Sequence, residues 1–275
     1  MIDAKTKLYG LIGKPVEHSL SPVIHNALFK KYNINAVYLA FEVDDLDSAV
    51  KGVRALGISG LNVTMPYKEQ ILEFLDELSE EARAIGSVNT VVNREGKLVG
   101  YNTDGIGALK ALKRFTKVGE KRILLLGAGG AGKAIAYTLS RLAKVVVLNR
   151  TERKAKELEK FGVKGEKLSK ESLEHYLSWA DIVINATSLG MNEDKSPIPK
   201  ELLRENLVVF DIVYSPLETK LLREAREIGC LTIDGLWMLI YQGAESFKLW
   251  TGVKPDVEFM RKVALEALKS ERQSI

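Results

Sequence analysis

The segment RILLLGAGGAGKAIAYTLSRLAKVVVLNRT, residues 122–151, restricts the fold more than any other. Ile123 to Leu126 is an apolar run of the kind that forms a strand buried on both faces. Gly127, Gly129 and Gly132 follow, spaced G-x-G-x-x-G. Ile135, Leu139 and Leu142 then recur at helical spacing, and Val145 to Leu148 is a second apolar run. Strand, glycine turn, helix and strand within about 30 residues make a βαβ unit.

Each glycine has a physical task in such a unit. Gly127 permits the tight turn, Gly129 lets backbone approach a pyrophosphate, and Gly132 lets the helix pack closely on the strand. The free N–H groups at the helix start then face the phosphates. Gly127 to Lys133 also fits G-x-x-x-x-G-K, but Ala134 stands where a triphosphatase loop needs a hydroxyl for Mg²⁺. Dinucleotide binding is the reading that remains. An NAD site usually carries Asp or Glu at the end of the second strand. This chain has Asn149, Arg150, Thr151 and Arg153. A carboxylate would repel a 2′-phosphate, whereas guanidinium groups bind one in two-pronged fashion, so the expected cofactor is NADP(H).

With 275 residues, 46% of them hydrophobic, the chain has length for one large or two modest domains. Its net charge of +4 is too slight to argue for nucleic acid, and none is expected as a partner. One cysteine, Cys230, excludes an intrachain disulfide and suits a reducing cytoplasm. His18, His25 and His175 lack ligand spacing, so no metal site is expected. No apolar run suggests a signal peptide or membrane span.

Before the glycine segment, Leu8–Gly13 is expected as a strand, followed by KPVEHSLSP. Ser21 as N-cap and Pro22 at the first helical position predict a helix to about Tyr32. Ser19 and Ser21 beside that helix start also suit a small carboxylate. Ala36–Val43 predicts a strand and Asp45–Leu56 a helix. In GLNVTMPYKEQI, Asn62 and Thr64 lie two apart on an extended stretch and point the same way. Pro66 ends that strand, with Tyr67 and Lys68 opening the next helix. Residues 87–105 predict a β-hairpin turning near Asn93–Gly96, with Asn89 and Thr90 on one arm. Asn102, Thr103 and Asp104 close the other, Asp104 placed to cap the next helix.

Beyond the glycine segment, helices are expected at 151–161 and 170–179. Asp181–Ala186 predicts a strand ending in NATSLGM, where an open sheet meets its ligand. Asn206–Val213 and Cys230–Ile233 predict further strands, and Asp234-Gly235 turns the chain into a helix over 236–250 containing Gln242. A last helix is expected over 256–269. The expected class is α/β: a substrate-binding α/β domain (1–103), a Rossmann-like doubly wound nucleotide domain (104–235), and C-terminal helices (236–275) returning to the first domain.

SLSPVIHN (19–26), GLNVTMPYK (60–68), SVNTV (87–91), NTDGIG (102–107), GAGGAGKA (127–134), NRT (149–151), NATSLGM (185–191), DIVYSP (211–216) and DGLWMLIYQ (234–242) occur in one order. Together they closely resemble the NADP-dependent shikimate dehydrogenase family. The resemblance implies reversible reduction of 3-dehydroshikimate in a cleft between two domains. It implies that Ser19 and Ser21 hold the carboxylate, that Asn62, Thr64, Asn89, Tyr214 and Gln242 contact hydroxyls or the ring, and that Lys68 and Asp104 are the catalytic pair. It implies that Gly127, Ala128, Gly129, Gly130 and Ala131, the stretch Asn149 to Arg153, and Thr187, Ser188, Val213, Gly235 and Met238 contact the cofactor. The family is often dimeric, so a homodimer is the expected assembly. The alternative within the family, a quinate/shikimate dehydrogenase using NAD, would favour an acidic residue at 149. A non-catalytic sensor would have lost Lys68 or Asp104, and both are present.

Overall fold

The structure is a computed structural model that describes residues 2–273. It divides into two compact units, one of residues up to Thr103 with those from Gly243 onward, the other Asp104–Gln242.

The first unit contains β1 (Lys7–Gly13), α1 (Ser21–Lys31), β2 (Ala36–Glu42), α2 (Leu46–Ala55), β3 (Gly60–Val63), β4 (Glu77–Leu78), α3 (Glu80–Ile85), β5 (Thr90–Arg94) and β6 (Lys97–Tyr101). Its six-stranded sheet runs β2-β1-β3-β5-β6-β4. β1 pairs parallel with β2 and β3, while β5 is antiparallel to both β3 and β6. The β5–β6 hairpin turns at Glu95 (φ 54°) and Gly96 (φ 92°), as a two-residue turn matching strand twist requires. Ile12, Leu61, Val63, Val91 and Leu98 pack with α2 residues Leu46, Val50 and Val53. The Asn26 amide on α1 accepts from the Tyr38 N–H at 2.9 Å and donates to the Tyr38 carbonyl at 2.8 Å. It thereby occupies the open side of edge strand β2 and fixes α1 against it.

The second unit contains α4 (Asp104–Phe115), β7 (Arg122–Leu126), α5 (Gly130–Ser140), β8 (Lys144–Asn149), α6 (Glu152–Lys156), β9 (Lys164–Lys167), α7 (Lys170–Trp179), β10 (Ile182–Asn185), β11 (Val208–Asp211), α8 (Lys220–Ile228) and β12 (Leu231–Ile233). All pairings in the sheet β12-β11-β10-β7-β8-β9 are parallel. Strand alternation sends Ile123, Leu125, Val145 and Val147 toward Leu112, Ile135 and Leu139. Leu124, Leu126, Val146 and Leu148 face Leu173, Leu177, Leu221 and Leu222 on the other side. Helices thus cover both faces, which is why these strands read as unbroken apolar runs. The unit boundary falls within α9 (Leu236–Thr251), and α10 (Val257–Gln273) closes the chain. Lys31 at the end of α1 pairs with Asp256, 2.7 Å away, just before α10.

Several local expectations are corrected. Leu20, not Ser21, is the N-cap of α1, and Ser21 is its first, buried residue. Tyr67 and Lys68 lie in turns, and a short 3-10 helix begins only at Gln70. Asp104 opens α4 from inside its first turn. The predicted 151–161 helix is the short α6 followed by a 3-10 turn, Glu159–Phe161. β4 and β9 were not expected: β4 has two residues, and Lys164-Gly-Glu-Lys buries only Gly165. A two-residue strand shows no period, and a charged edge strand shows no apolar signal.

His25 on α1 is buried, stacked on Tyr38 at 4.6 Å and against Trp250 at 5.3 Å. Burial pushes its imidazole from 6.5 down to about 3. The native protein therefore holds it neutral, while the unfolded chain takes up a proton below about 6.5. Its contribution is present above that value and is lost as pH falls toward about 3. Urea unfolding of wild type and His25→Phe should show the wild type losing a few kcal/mol more between about pH 7 and pH 4.5. Equal losses would show that His25 is not held neutral.

Candidate active site

The carboxyl ends of β7, β8, β10, β11 and β12 carry the residues expected to hold a cofactor. Gly127 sits at φ +106°, and a Cβ there would lie 2.7 Å from the Ala186 carbonyl oxygen, so a side chain is excluded twice. A Cβ on Gly132 would meet the Gly127 oxygen at 2.3 Å. Gly129 caps α5 and is different: its Cβ would meet nothing within 4 Å. Tight packing on two sides and open space at the helix start, where Gly130 and Ala131 present N–H groups, fit a pyrophosphate.

Asn149 ends β8 and ties the turn to the following loop. Its Oδ1 accepts from the Ala128 N–H at 3.1 Å and its Nδ2 donates to the Thr151 carbonyl at 2.9 Å. Arg150 and Thr151 are exposed, and Arg153 reaches Glu157 at 3.3 Å on the rim of α6. Thr187 is held by Asn185, whose Oδ1 accepts from its N–H at 3.1 Å and its hydroxyl at 2.7 Å, and Ser188 beside it is exposed. Val213 is buried and donates its N–H to Asp211 at 3.1 Å. Gly235 rests so closely on the Ile212 carbonyl that a Cβ would be 2.3 Å away. Met238 is 6% exposed and packs into the core beside Trp237. Tyr214 and Gln242 are half-buried, Gln242 donating to the Leu239 carbonyl at 2.9 Å, and Asp104 is buried.

In the first unit, the loops after β1 and β3 lie side by side, with the Thr64 N–H on the Ile12 carbonyl at 2.9 Å. Ser19 Oγ accepts from the Ser21 N–H at 3.3 Å. Tyr38 donates to Asn62 Oδ1 at 2.8 Å, and Asn62 Nδ2 donates to the Asn89 carbonyl at 3.1 Å and Ser246 Oγ at 3.1 Å. Asn89 Oδ1 accepts from the Thr103 N–H at 2.8 Å. Backbone groups therefore settle which way both amides point. Lys68 is half-buried, its carbonyl accepting from the Val88 N–H at 2.8 Å. Ser19, Ser21, Asn62, Thr64, Lys68 and Asn89 thus belong to one unit, and Asp104, Tyr214 and Gln242 to the other.

The sequence reading missed Tyr38 and Ser246. Tyr38 is indistinguishable from a core aromatic in its strand, and nothing local links Ser246 to a partner 184 residues away.

The model of the shikimate dehydrogenase substrate binding domain matches residues 11–91, that of shikimate / quinate 5-dehydrogenase residues 109–236, and that of the shikimate 5'-dehydrogenase C-terminal domain residues 235–265. A shikimate dehydrogenase (NADP(+)) of Pyrococcus abyssi is 67% identical, over 95% of this chain and 98% of its own. The chain belongs to the shikimate dehydrogenase family. A shikimate dehydrogenase solved with NADP+ superposes with a TM-score of 0.92 at 47% identity, covering 97% of each chain. The Thermus thermophilus enzyme, solved with NADP(H) and shikimate, gives 0.89 at 40% identity over 95% of this chain and all of its own.

In this member of the family the least expected group is Asp211. It is fully buried, and burial raises its carboxyl from 3.8 to about 6. Its stabilising share is complete below about 3.8 and is lost as pH rises through about 6. Between those values the wild type should lose up to about 3 kcal/mol of unfolding free energy that Asp211→Asn keeps. Denaturant unfolding at about pH 4 and pH 7 checks this; parallel curves would contradict it.

Proposed function

We propose that the chain catalyses the reversible NADPH-dependent reduction of 3-dehydroshikimate to shikimate, on the route to chorismate and the aromatic amino acids. The observation that carries this reading is that a glycine cradle fitted to a dinucleotide, Lys68 and Asp104 stand in one chain sharing two-thirds of its residues with an NADP-dependent relative. When bound, NADPH supplies a hydride to the ketone carbon. Gly127 to Ala131 hold its pyrophosphate, and Arg150, with Thr151 and Arg153, holds its 2′-phosphate against the neutral Asn149 amide. Thr187, Ser188, Val213, Gly235 and Met238 line the remainder of its seat.

Ser19 and Ser21, at the start of α1, bind the substrate carboxylate. Asn62, Thr64, Asn89, Tyr214 and Gln242 bind the ring and its hydroxyls. As negative charge grows on the ketone oxygen, the Lys68 ammonium stabilises it and delivers a proton; in the oxidative direction Lys68 takes that proton back. Asp104 accepts a hydrogen bond from a substrate hydroxyl. Asn149 and Arg150 speak against the NAD-using quinate/shikimate alternative. A homodimer and a cytoplasmic setting are part of the same proposal, and sedimentation of the purified enzyme tests the first.

Absorbance near 340 nm with shikimate and NADP+ tests the activity, and a folded protein without turnover would refute it. Lys68→Ala should cut kcat about 10²–10⁴-fold with little change in substrate KM; near-normal turnover would remove Lys68 from the chemistry. Arg150→Ala should weaken NADPH use by about tenfold and leave NADH use nearly unchanged. Equal losses would contradict the 2′-phosphate assignment.

A further inference from the structure

Asp211 is not among the residues assigned to cofactor or substrate, yet three loops assigned to the cofactor depend on it. Its Oδ1 accepts from Asn185 Nδ2 at 2.9 Å and from the Val213 N–H at 3.1 Å. Its Oδ2 accepts from the Thr219 hydroxyl at 2.7 Å, and Thr219 in turn caps α8 through the Leu222 N–H at 3.3 Å. Asn185 passes the constraint to the loop after β10. Its Oδ1 takes both donors of Thr187, and its Nδ2 also reaches the Leu189 carbonyl at 3.2 Å. Thr187 Oγ1 then accepts from the Leu189 N–H at 3.2 Å. Gly235, after β12, lies against the Ile212 and Val213 carbonyls, where a Cβ would come within 2.5 Å of each. The carboxylate thus bonds the end of β10 and the loop after β11, on whose backbone Gly235 of the loop after β12 rests, and Asp211, Asn185 and Thr219 are all at most 1% exposed.

A doubly wound sheet of this order is two mononucleotide-binding halves. The 2′-phosphate residues follow β8, so β7, β8 and β9 receive the adenosine half, and β10, β11 and β12 the nicotinamide half. We propose that Asp211 is the positioning residue of the nicotinamide half of the cofactor site, holding Thr187, Val213 and Gly235 in register without touching the cofactor. The proposal rests on the NADP reading above. It requires an acceptor rather than a charge: an Asn at 211 keeps both bonds to Oδ1 and donates to Thr219, whereas Ala removes every link.

The probes are NADP+ and adenosine 2′,5′-bisphosphate, which carries only the adenosine half. Three hydrogen bonds lost at once from a buried site are worth enough that Asp211→Ala should weaken NADP+ about tenfold or more and lower kcat, with the bisphosphate changed by less than about twofold. Asp211→Asn should restore NADP+ binding to within about threefold of wild type. Thr219→Val, which takes a single bond from the carboxylate at similar volume, gives a reading if the Ala variant does not fold, with about threefold loss for NADP+ alone. Unchanged NADP+ binding, or equal weakening of both ligands, would overturn the proposal. Failure of the wild type to bind either ligand would defeat the NADP reading itself, and the proposal with it.

Discussion

The cofactor half of this protein depends on backbone meeting backbone at one point. Between β7 and β10 the sheet reverses its order of winding, and the loops leaving those strands part there. Gly127 must pass against the Ala186 carbonyl while turning through positive φ. Only glycine does both. The consequence reaches α5, whose start is drawn onto the turn through Gly132 and aimed at the open space beside Gly129. A methyl group at 127 or 132 would push the helix start away and misdirect its N–H groups.

Around that point the two units solve the burial of polar groups differently. Among its described residues the first buries neutral groups: Tyr38, Asn62, Thr90, Thr103 and Ser246 bond one another with no formal charge to desolvate. The second buries the Asp211 carboxyl, which is costly, and offsets the cost with donors from Asn185, Val213 and Thr219. Such networks are strong when complete and expensive when one member is lost, because the remaining groups stay buried without partners. That property suits residues that must hold loops in one arrangement.

What could be read from the chain follows from range. β7, β8, α5 and α8 declare themselves through local periodicity and caps, as does the β5–β6 hairpin through Glu95-Gly96. The candidate site was legible where chemistry sits in short strings, as with Ser19 and Ser21 or Asn62 and Thr64. Ser21 before Pro22 reads as a cap because a hydroxyl followed by proline is the usual helix-start pattern, whereas the helix already includes Ser21 and Leu20 stands at the cap. Asp211 and Tyr38 were not legible. Each sits in an apolar strand, where its role comes from partners brought by the sheet from 24 to 26 residues away.

Asn149 shows how fold and cofactor choice are joined in one side chain. Its amide both accepts, from Ala128, and donates, to the Thr151 carbonyl. A carboxylate at the same place could keep the first bond but not the second, since it has no proton to give. Its lone pairs would then face the Thr151 oxygen, and the loop carrying Arg150 would lose its anchor. A change toward the acidic residue of NAD enzymes would therefore do more than repel a 2′-phosphate. It would also release the segment that presents the guanidinium, so the electrostatic and the structural preference for an amide act in the same direction.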